Sequence, residues 1–158
     1  MSAIKEIKDY LPEHPFFKGL DPELIEFLAG CARNVHFKDG EILFKEGDKA
    51  DTFYVIRKGR IAIQVHDPAR GGGSILDTVD AGGVVGWTWL VPPYKWLFDA
   101  SASEETSAVA FDGECLRKKC EDDAVVGYAL MQRVAVVMYE RLEAARLRLL
   151  DLYGTAGS

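Results

Sequence analysis

Apolar residues change their spacing twice along the chain, and these changes divide it into three parts. In residues 1–32 the apolar residues recur at helical spacing. Within this part Asp21-Pro22-Glu23 predicts the start of a helix, because it combines a capping carboxylate, a proline in the first turn and an acidic residue near the positive end of the helix dipole. Residues 33–111 contain short apolar or alternating runs, separated by turns with Gly or Asp. Such runs at short intervals predict an antiparallel sandwich or barrel rather than an α/β sheet.

Helical spacing returns in residues 112–153. Residues 113–121 suit one short helix, and Asp122-Asp123 is a second helix start. The long helix that follows is apolar around most of its circumference between Val134 and Met138, which is too wide for packing on one side only. We therefore expect one face to lie on the barrel and the other to pair with a second chain, giving a homodimer through residues 122–152. A simple surface helix is the alternative.

The composition describes a globular protein of one domain, residues 1–158. Hydrophobic residues make up 48% and charged residues 28%, and the formal net charge of -6 disfavours a nucleic-acid partner. No apolar run reaches the length of a signal peptide or a membrane span, so we expect a soluble, cytoplasmic protein without a membrane partner. Three cysteines (Cys31, Cys115 and Cys120) lack CxxC or metal-type spacing and are expected to be buried, reduced thiols.

The residues that usually carry catalysis or metal binding are present only singly. The three histidines, His14, His36 and His66, are scattered without H-x-H or H-x-x-E spacing, and the sequence has no G-x-S-x-G motif. We expect no catalytic site, no metal site and no cofactor beyond a small-molecule ligand.

Three strings of the sequence carry a family resemblance. They are H-P-F-F-K-G-L-D-P-E-L-I-E-F-L at residues 14–28, F-K-D-G-E-I-L-F-K-E-G-D-K-A-D-T-F-Y-V-I-R-K-G-R-I-A-I at 37–63, and G-G-V-V-G-W-T-W-L-V-P-P-Y-K-W-L-F-D-A-S-A at 82–102. With the order of helices and strands, they resemble the cyclic-nucleotide-binding domain of the catabolite-activator and kinase-regulatory-subunit superfamily. The resemblance implies a mainly β fold: a double-stranded β-helix (a jelly-roll-like β-roll) flanked by N-terminal helices and a long C-terminal helix.

Residues 82–102, here called the cassette segment, correspond to the phosphate-binding cassette of that family, which is similar to F-G-E-L-A-L-L followed by R-A-A. In the family the Glu accepts the ribose 2′-hydroxyl, and the Arg is a two-pronged donor to the cyclic phosphate. Here Gly86 matches the Gly, Trp87 stands in place of the Glu, and Phe98 or Asp99 stands in place of the Arg. Both polar anchors are missing, and an inward Asp99 would repel phosphate.

The mouth of the barrel is therefore expected to be neutral and rich in indole. Lys95 is the only cation of the cassette segment, and Ala100 and Ser101 keep the small residues of the family pattern. The predicted ligand-binding residues are Gly86, Trp87, Thr88, Trp89, Lys95, Phe98, Asp99, Ala100 and Ser101. A guanidinium from the C-terminal helices in this mouth, such as that of Arg133 or Arg141, would contradict the expectation.

We therefore expect a non-catalytic ligand-sensing or regulatory domain that does not bind cAMP or cGMP in the standard way. One alternative is a protein-interaction module whose pocket is filled by Trp87 or Trp89 and which presents residues 92–98 to a partner. Another is an atypical cyclic-nucleotide binder that uses Lys95 and cassette N–H groups. The family's transcription factors carry a helix-turn-helix after the long helix, and this sequence has no room for one, so direct DNA binding is not expected.

Overall fold

The computed structural model describes the backbone of residues 3–67 and 72–156, and the side chains of residues 7–65 and 75–152. The side chain of His66 lies outside that description. The helices are α1 (Ala3–Tyr10), a short 3-10 helix (Leu11–Glu13), α2 (Pro22–Gly30), α3 (Gly113–Asp122) and α4 (Ala124–Ala156). The strands are β1 (Ala32–Phe37), β2 (Ile42–Phe44), β3 (Thr52–Lys58), β4 (Arg60–Asp67), β5 (Gly72–Asp80), β6 (Val84–Val85), β7 (Asp99–Ala102) and β8 (Thr106–Asp112).

Aspartate side chains begin three of these helices. Asp21 accepts a hydrogen bond from the N–H of Glu23 and caps α2. Asp112 accepts from two N–H groups of the first turn of α3, and Asp123 does the same for α4. The helix starts predicted from the sequence are thus confirmed at Asp21 and at the Asp122-Asp123 pair, where Asp123 is the capping residue.

The described strands form two antiparallel four-stranded sheets, in the orders β1-β8-β3-β6 and β2-β7-β4-β5. With helices before them and a long helix after them, they confirm the predicted β-roll. The strands β6 and β7 were not predicted as strands, because both belong to the cassette segment. The short run Asp99–Ala102 becomes a strand by pairing with β4 on one side and β2 on the other.

Alternate residues of the central strands serve two separate cores. Phe53 and Val55 of β3 pack against the helices, in a cluster that also contains Leu130 of α4. Tyr54 and Ile56 point the other way, into the space between the two sheets. A strand buried on both faces has an unbroken apolar run, which explains why F-Y-V-I shows no alternation.

Cys31 and Cys115 form a disulfide, so the expectation of reduced thiols is wrong for these two residues. The reason is the register of β1 and β8: Ala32 pairs with Phe111, and the N–H of Asp112 donates to the carbonyl of Cys31 at 2.9 Å. This pairing places Cys31 beside the first turn of α3. Cys120 is a free, half-buried thiol.

The long helix α4 is buried in its first half on one side and keeps many exposed apolar residues. Leu130 and Val134 are 2% and 4% exposed and pack into the helical core. Many large apolar residues elsewhere on the helix are exposed, namely Val125, Tyr128, Met131, Val136, Met138, Tyr139, Leu142, Leu147, Leu149, Leu150 and Leu152. Within residues 3–67 and 72–156, no helix is apolar over a stretch long enough to span a membrane.

Candidate functional site

The interior of the roll beside the cassette segment is filled by Trp96. Its indole is 3% exposed and stacks on the ring of Phe44, with ring centroids 3.5 Å apart and planes 6° from parallel. It belongs to the core between the two sheets, with Phe98 packed against that core from outside. An aromatic plug therefore exists, but it is Trp96 rather than Trp87 or Trp89.

Gly86 lies directly against this plug. Its φ is +92°, a conformation that residues with a Cβ rarely adopt, and a Cβ placed there would lie 2.5 Å from Cη2 and 2.7 Å from Cζ3 of Trp96. The glycine that matches the family cassette is thus required here by the indole as well as by the turn.

Trp89 points away from the roll, into the helical core. It is 1% exposed, with its ring centroid 6.0 Å from that of Phe53, and Arg117 donates to its carbonyl oxygen at 2.6 Å. Thr88 is also buried. Thr88 Oγ1 and Trp89 Nε1 have no hydrogen-bond partner among the described residues. Successive i→i+3 hydrogen bonds, from Leu90 N to Trp87 O and from Val91 N to Thr88 O, make this stretch a tight turn rather than a helix.

On β7 the predicted site residues alternate in direction. Ala100 is fully buried in the core, so Asp99 and Ser101 face the other side of the strand. Asp99 Oδ1 accepts a hydrogen bond from Glu46 N at 2.7 Å, so its carboxylate is engaged by the loop after β2 instead of repelling a ligand.

Lys95 is exposed and lies in an isolated bridge with Lys49, outside the described cavities. The neighbouring Tyr94 has φ 58°, and its ring lies under the guanidinium of Arg117 at 4.4 Å. This contact fixes the outer loop of the cassette segment on α3.

A cavity of about 520 Å³ lies between the roll and the C-terminal half of α4. Trp87 and Phe98 are the two predicted site residues in its wall. The complete lining is Ile63, Leu76, Asp77, Trp87, Phe98, Arg141, Ala145, Arg148, Leu149 and Leu152.

Two guanidinium groups of α4 reach this cavity. Arg141 donates to the carbonyl of Val84, its Cζ lies 5.4 Å from the ring centroid of Trp87, and its Nη1 lies 3.6 Å from Asp77 Oδ2. Arg148 Nη2 lies 3.5 Å from the same oxygen, and its Nη1 donates to the carbonyl of Leu76 at 2.8 Å. Burial lowers the pKa of Arg141, an effect that the Asp77 carboxylate partly opposes.

The expectation of a neutral mouth is therefore wrong, because Arg141 lies in it. The predicted ligand-binding residues included neither Arg141 nor Arg148. A local signal was present only in part: Arg141 and Arg148 are seven residues apart, a spacing that puts both on one face of a helix. Arg133 lies elsewhere and donates to the carbonyls of Phe16 and Lys18.

A second cavity, of about 510 Å³, lies on the other side of Arg141, between α4, residues 14–16 and residues 82–84. At its edge His14 donates from Nε2 to the carbonyl of Gly82 at 2.8 Å and accepts at Nδ1 from the N–H of Phe16 at 3.1 Å. Burial lowers the pKa of His14, and the hydrogen bond to Gly82 opposes this shift. His14 thus joins the N-terminal segment to the start of the cassette segment. No cluster of three or more potential metal ligands occurs among the residues that the structure describes.

The described residues thus form a β-roll with a cavity between its cassette segment and the long C-terminal helix. Residues 34–123 match the profile of the cyclic nucleotide-binding domain family, and this chain belongs to that family. It is 27% identical over 139 residues to a CRP-like cAMP-activated global transcriptional regulator of Mycobacterium tuberculosis. That match covers 88% of this chain and 60% of the regulator, so the chain spans about 60% of the length of this relative.

Solved structures agree on the fold. A putative cyclic nucleotide-binding protein from Geobacter metallireducens superimposes with a TM-score of 0.77 at 25% identity, covering 90% of this chain and 99% of the other. The Thermus thermophilus catabolite activator protein superimposes with a TM-score of 0.68 at 22% identity, covering 88% of this chain and 63% of the other. This likeness supports the fold alone. The resemblance drawn from the sequence is confirmed at the level of family and fold.

Proposed function

We propose that this chain is a non-catalytic regulatory domain that senses a small ligand, and that the ligand occupies the cavity between the roll and α4. The observation that carries the proposal is a cavity of about 520 Å³ whose wall combines Trp87 and Phe98 with Arg141. Mostly apolar clefts of roughly 300–1,000 Å³ with a few polar groups are typical ligand sites.

The ligand is not a cyclic nucleotide held in the standard way. Trp87 stands in place of the Glu of the family cassette, Phe98 or Asp99 stands in place of its Arg, and Trp96 fills the space beside Gly86. Loss of one partner of a buried charge pair costs about 2–5 kcal/mol, which would weaken a micromolar site to tens of micromolar or several millimolar.

Tryptophan fluorescence tests the proposal. Trp87 lines the cavity and is half-buried, whereas Trp89 and Trp96 are buried in the two cores. A ligand that enters the cavity should therefore shift or quench the emission of Trp87. In the variant Trp87→Phe, the same ligand should bind without that signal. A broad metabolite screen that leaves both emission and thermal stability unchanged would contradict ligand sensing.

A second candidate function is a protein-interaction module, and the stacked Trp96 favours it because a filled roll leaves less room for a ligand. Val91 and Leu97, at the edges of the cassette loop, are 47% and 67% exposed and would face the partner. An atypical cyclic-nucleotide binder is the third candidate, favoured by the two arginines at the cavity, which supply the cations that the cassette segment lacks.

We also propose that two chains pair through α4, because its outer face keeps large apolar residues such as Leu142 (69% exposed) in contact with water. Sedimentation should give a dimer, and Leu142→Glu should give a monomer. The control Glu140→Gln, at an exposed polar position of the same helix, should remain a dimer. A monomeric parent chain at all concentrations would contradict pairing.

A further inference from the structure

The charged residues that line the cavity between the roll and α4 are not balanced. Among the described lining residues, Asp77 is the one carboxylate, and it lies 3.6 Å from Arg141 and 3.5 Å from Arg148. Both guanidinium groups therefore share a single oxygen, Asp77 Oδ2. The other oxygen of Asp77, Oδ1, accepts from the N–H of Thr78 at 2.8 Å. One positive charge of the cavity wall is left without a carboxylate in that wall.

The position of this charge makes it important for binding. The side chains of Arg141, Arg148 and Asp77 are 24%, 52% and 32% exposed, so the cluster is only partly screened by water. Each guanidinium also donates to a backbone carbonyl, which fixes its plane and leaves further N–H donors for a ligand. Arginine in such a fixed setting suits planar, two-oxygen anions.

The rest of the wall is apolar. Ile63, Leu76, Trp87, Phe98 and Leu149 supply aliphatic and aromatic surface, and Leu76 and Leu149 are more than half exposed. Such a wall binds an apolar or aromatic body, because burying it removes apolar area from water. The lining has no second carboxylate or neutral amide that would accept the several hydroxyl groups of a sugar.

We propose that the ligand of this cavity is an amphipathic organic anion, whose acid group is held by Arg141 and Arg148 of α4 and whose apolar or aromatic body lies against Trp87 and Phe98. This inference rests on the proposed function and adds the chemical class of the ligand. The anion site would thus have moved from the cassette segment to the long helix. Binding would join α4 to the roll, because the acid group contacts the helix and the body contacts the cassette segment.

Isothermal titration with a matched pair of probes tests this inference. 2-Naphthoate carries the acid group, and 2-naphthamide is its neutral isostere. We expect the parent chain to bind the naphthoate at least about tenfold more tightly than the amide, as a charge-assisted contact requires. Added salt should weaken only the binding of the naphthoate.

Variants of α4 locate the anion site. Arg148→Gln should abolish the preference for the naphthoate, and Arg148→Lys should keep part of it. Arg146→Gln is the control, since Arg146 is on the same helix, pairs with Glu143 at 3.1 Å and lies outside the cavity wall. Because Arg148 is half exposed, the fold should survive its substitution, and a thermal melt of each variant checks this.

The outcomes separate the two proposals. Equal affinity for the two probes, or a preference that Arg148→Gln leaves intact in a folded variant, would overturn the anion inference while ligand binding in the cavity stands. If neither probe binds, the anion inference fails, whereas the proposed function fails only if the metabolite screen also leaves the emission of Trp87 and the thermal stability unchanged.

Discussion

The substitution Gly86→Ala tests whether Trp96 is a fixed plug beneath the cassette segment. It adds a single methyl group at a backbone φ of +92°, and that methyl would lie 2.5 Å and 2.7 Å from two ring carbons of Trp96. Carbon atoms normally pack about 3.5–4.0 Å apart, so the added methyl and the indole of Trp96 must move apart by roughly 1 Å. The indole cannot easily move aside, because it is buried and stacked on Phe44 with ring centroids 3.5 Å apart.

Two costs add in this variant. The left-handed backbone costs a residue with a Cβ about 1–2 kcal/mol. Overpacking of a filled core costs about 1–3 kcal/mol more. Gly40→Ala is the matched control, because Gly40 has φ +88° and nothing within 4 Å of its added Cβ, so it should lose only the backbone part. We expect Gly86→Ala to lower the free energy of unfolding by about 2–5 kcal/mol in total.

Urea denaturation followed by circular dichroism measures these losses, and a double-mutant cycle isolates the contact. In a Trp96→Phe background the shorter ring no longer reaches the added methyl. The cost of Gly86→Ala should then fall to that of Gly40→Ala, a coupling of about 1–3 kcal/mol. Equal costs in the two backgrounds would mean that Trp96 does not lie against Gly86, and the interpretation as a plug would be wrong.

Three other predictions concern stability. Thr88→Val should lower the free energy of unfolding by no more than about 1 kcal/mol, or should raise it, because the buried hydroxyl has no hydrogen-bond partner among the described residues. A loss above about 2 kcal/mol in urea denaturation would contradict this. The folded-state pKa of His14 lies below its usual 6.5, so the contribution of His14 to the free energy of unfolding is complete above that pH and is lost as the pH falls toward the lower pKa. His14→Gln should therefore flatten this part of the curve of stability against pH, and an unchanged slope would refute the prediction. Dithiothreitol should lower the free energy of unfolding by about 2–5 kcal/mol, because it reduces the Cys31–Cys115 disulfide, which spans 84 positions. Cys120→Ser should not alter this effect. A thermal melt that dithiothreitol leaves unchanged would count against the disulfide.

The fold was predictable because its signals are local. The capping aspartates Asp21 and Asp123 mark the helix starts, and short apolar runs mark most strands of the roll. The loss of the cassette anchors stays a prediction, which rests on Trp87 at a motif position. Among the described strands, β6 and β7 were not predicted, because their pairing with distant strands, rather than their own residues, makes them strands.

The candidate site was less predictable because it is assembled across the chain. Trp87, Trp89 and Trp96 are close in sequence, yet one lines the cavity, one enters the helical core and one fills the roll. In an irregular turn the spacing of residues does not fix the direction of their side chains. Arg141 and Arg148 reach the cavity only because α4 lies over β5, a tertiary contact that no local pattern reveals. The disulfide likewise follows from strand register rather than from the spacing of its cysteines.

We propose that the cassette segment of this chain does not hold a cyclic phosphate, and titration calorimetry of cAMP and cGMP into the purified chain tests this proposal. We expect no binding tighter than tens of micromolar, which corresponds to the loss of about 2–5 kcal/mol of anchoring. Micromolar or tighter binding of cAMP that survives Arg148→Gln but is lost in Ser101→Ala or Lys95→Ala would contradict it, because the phosphate would then be held by the cassette segment itself.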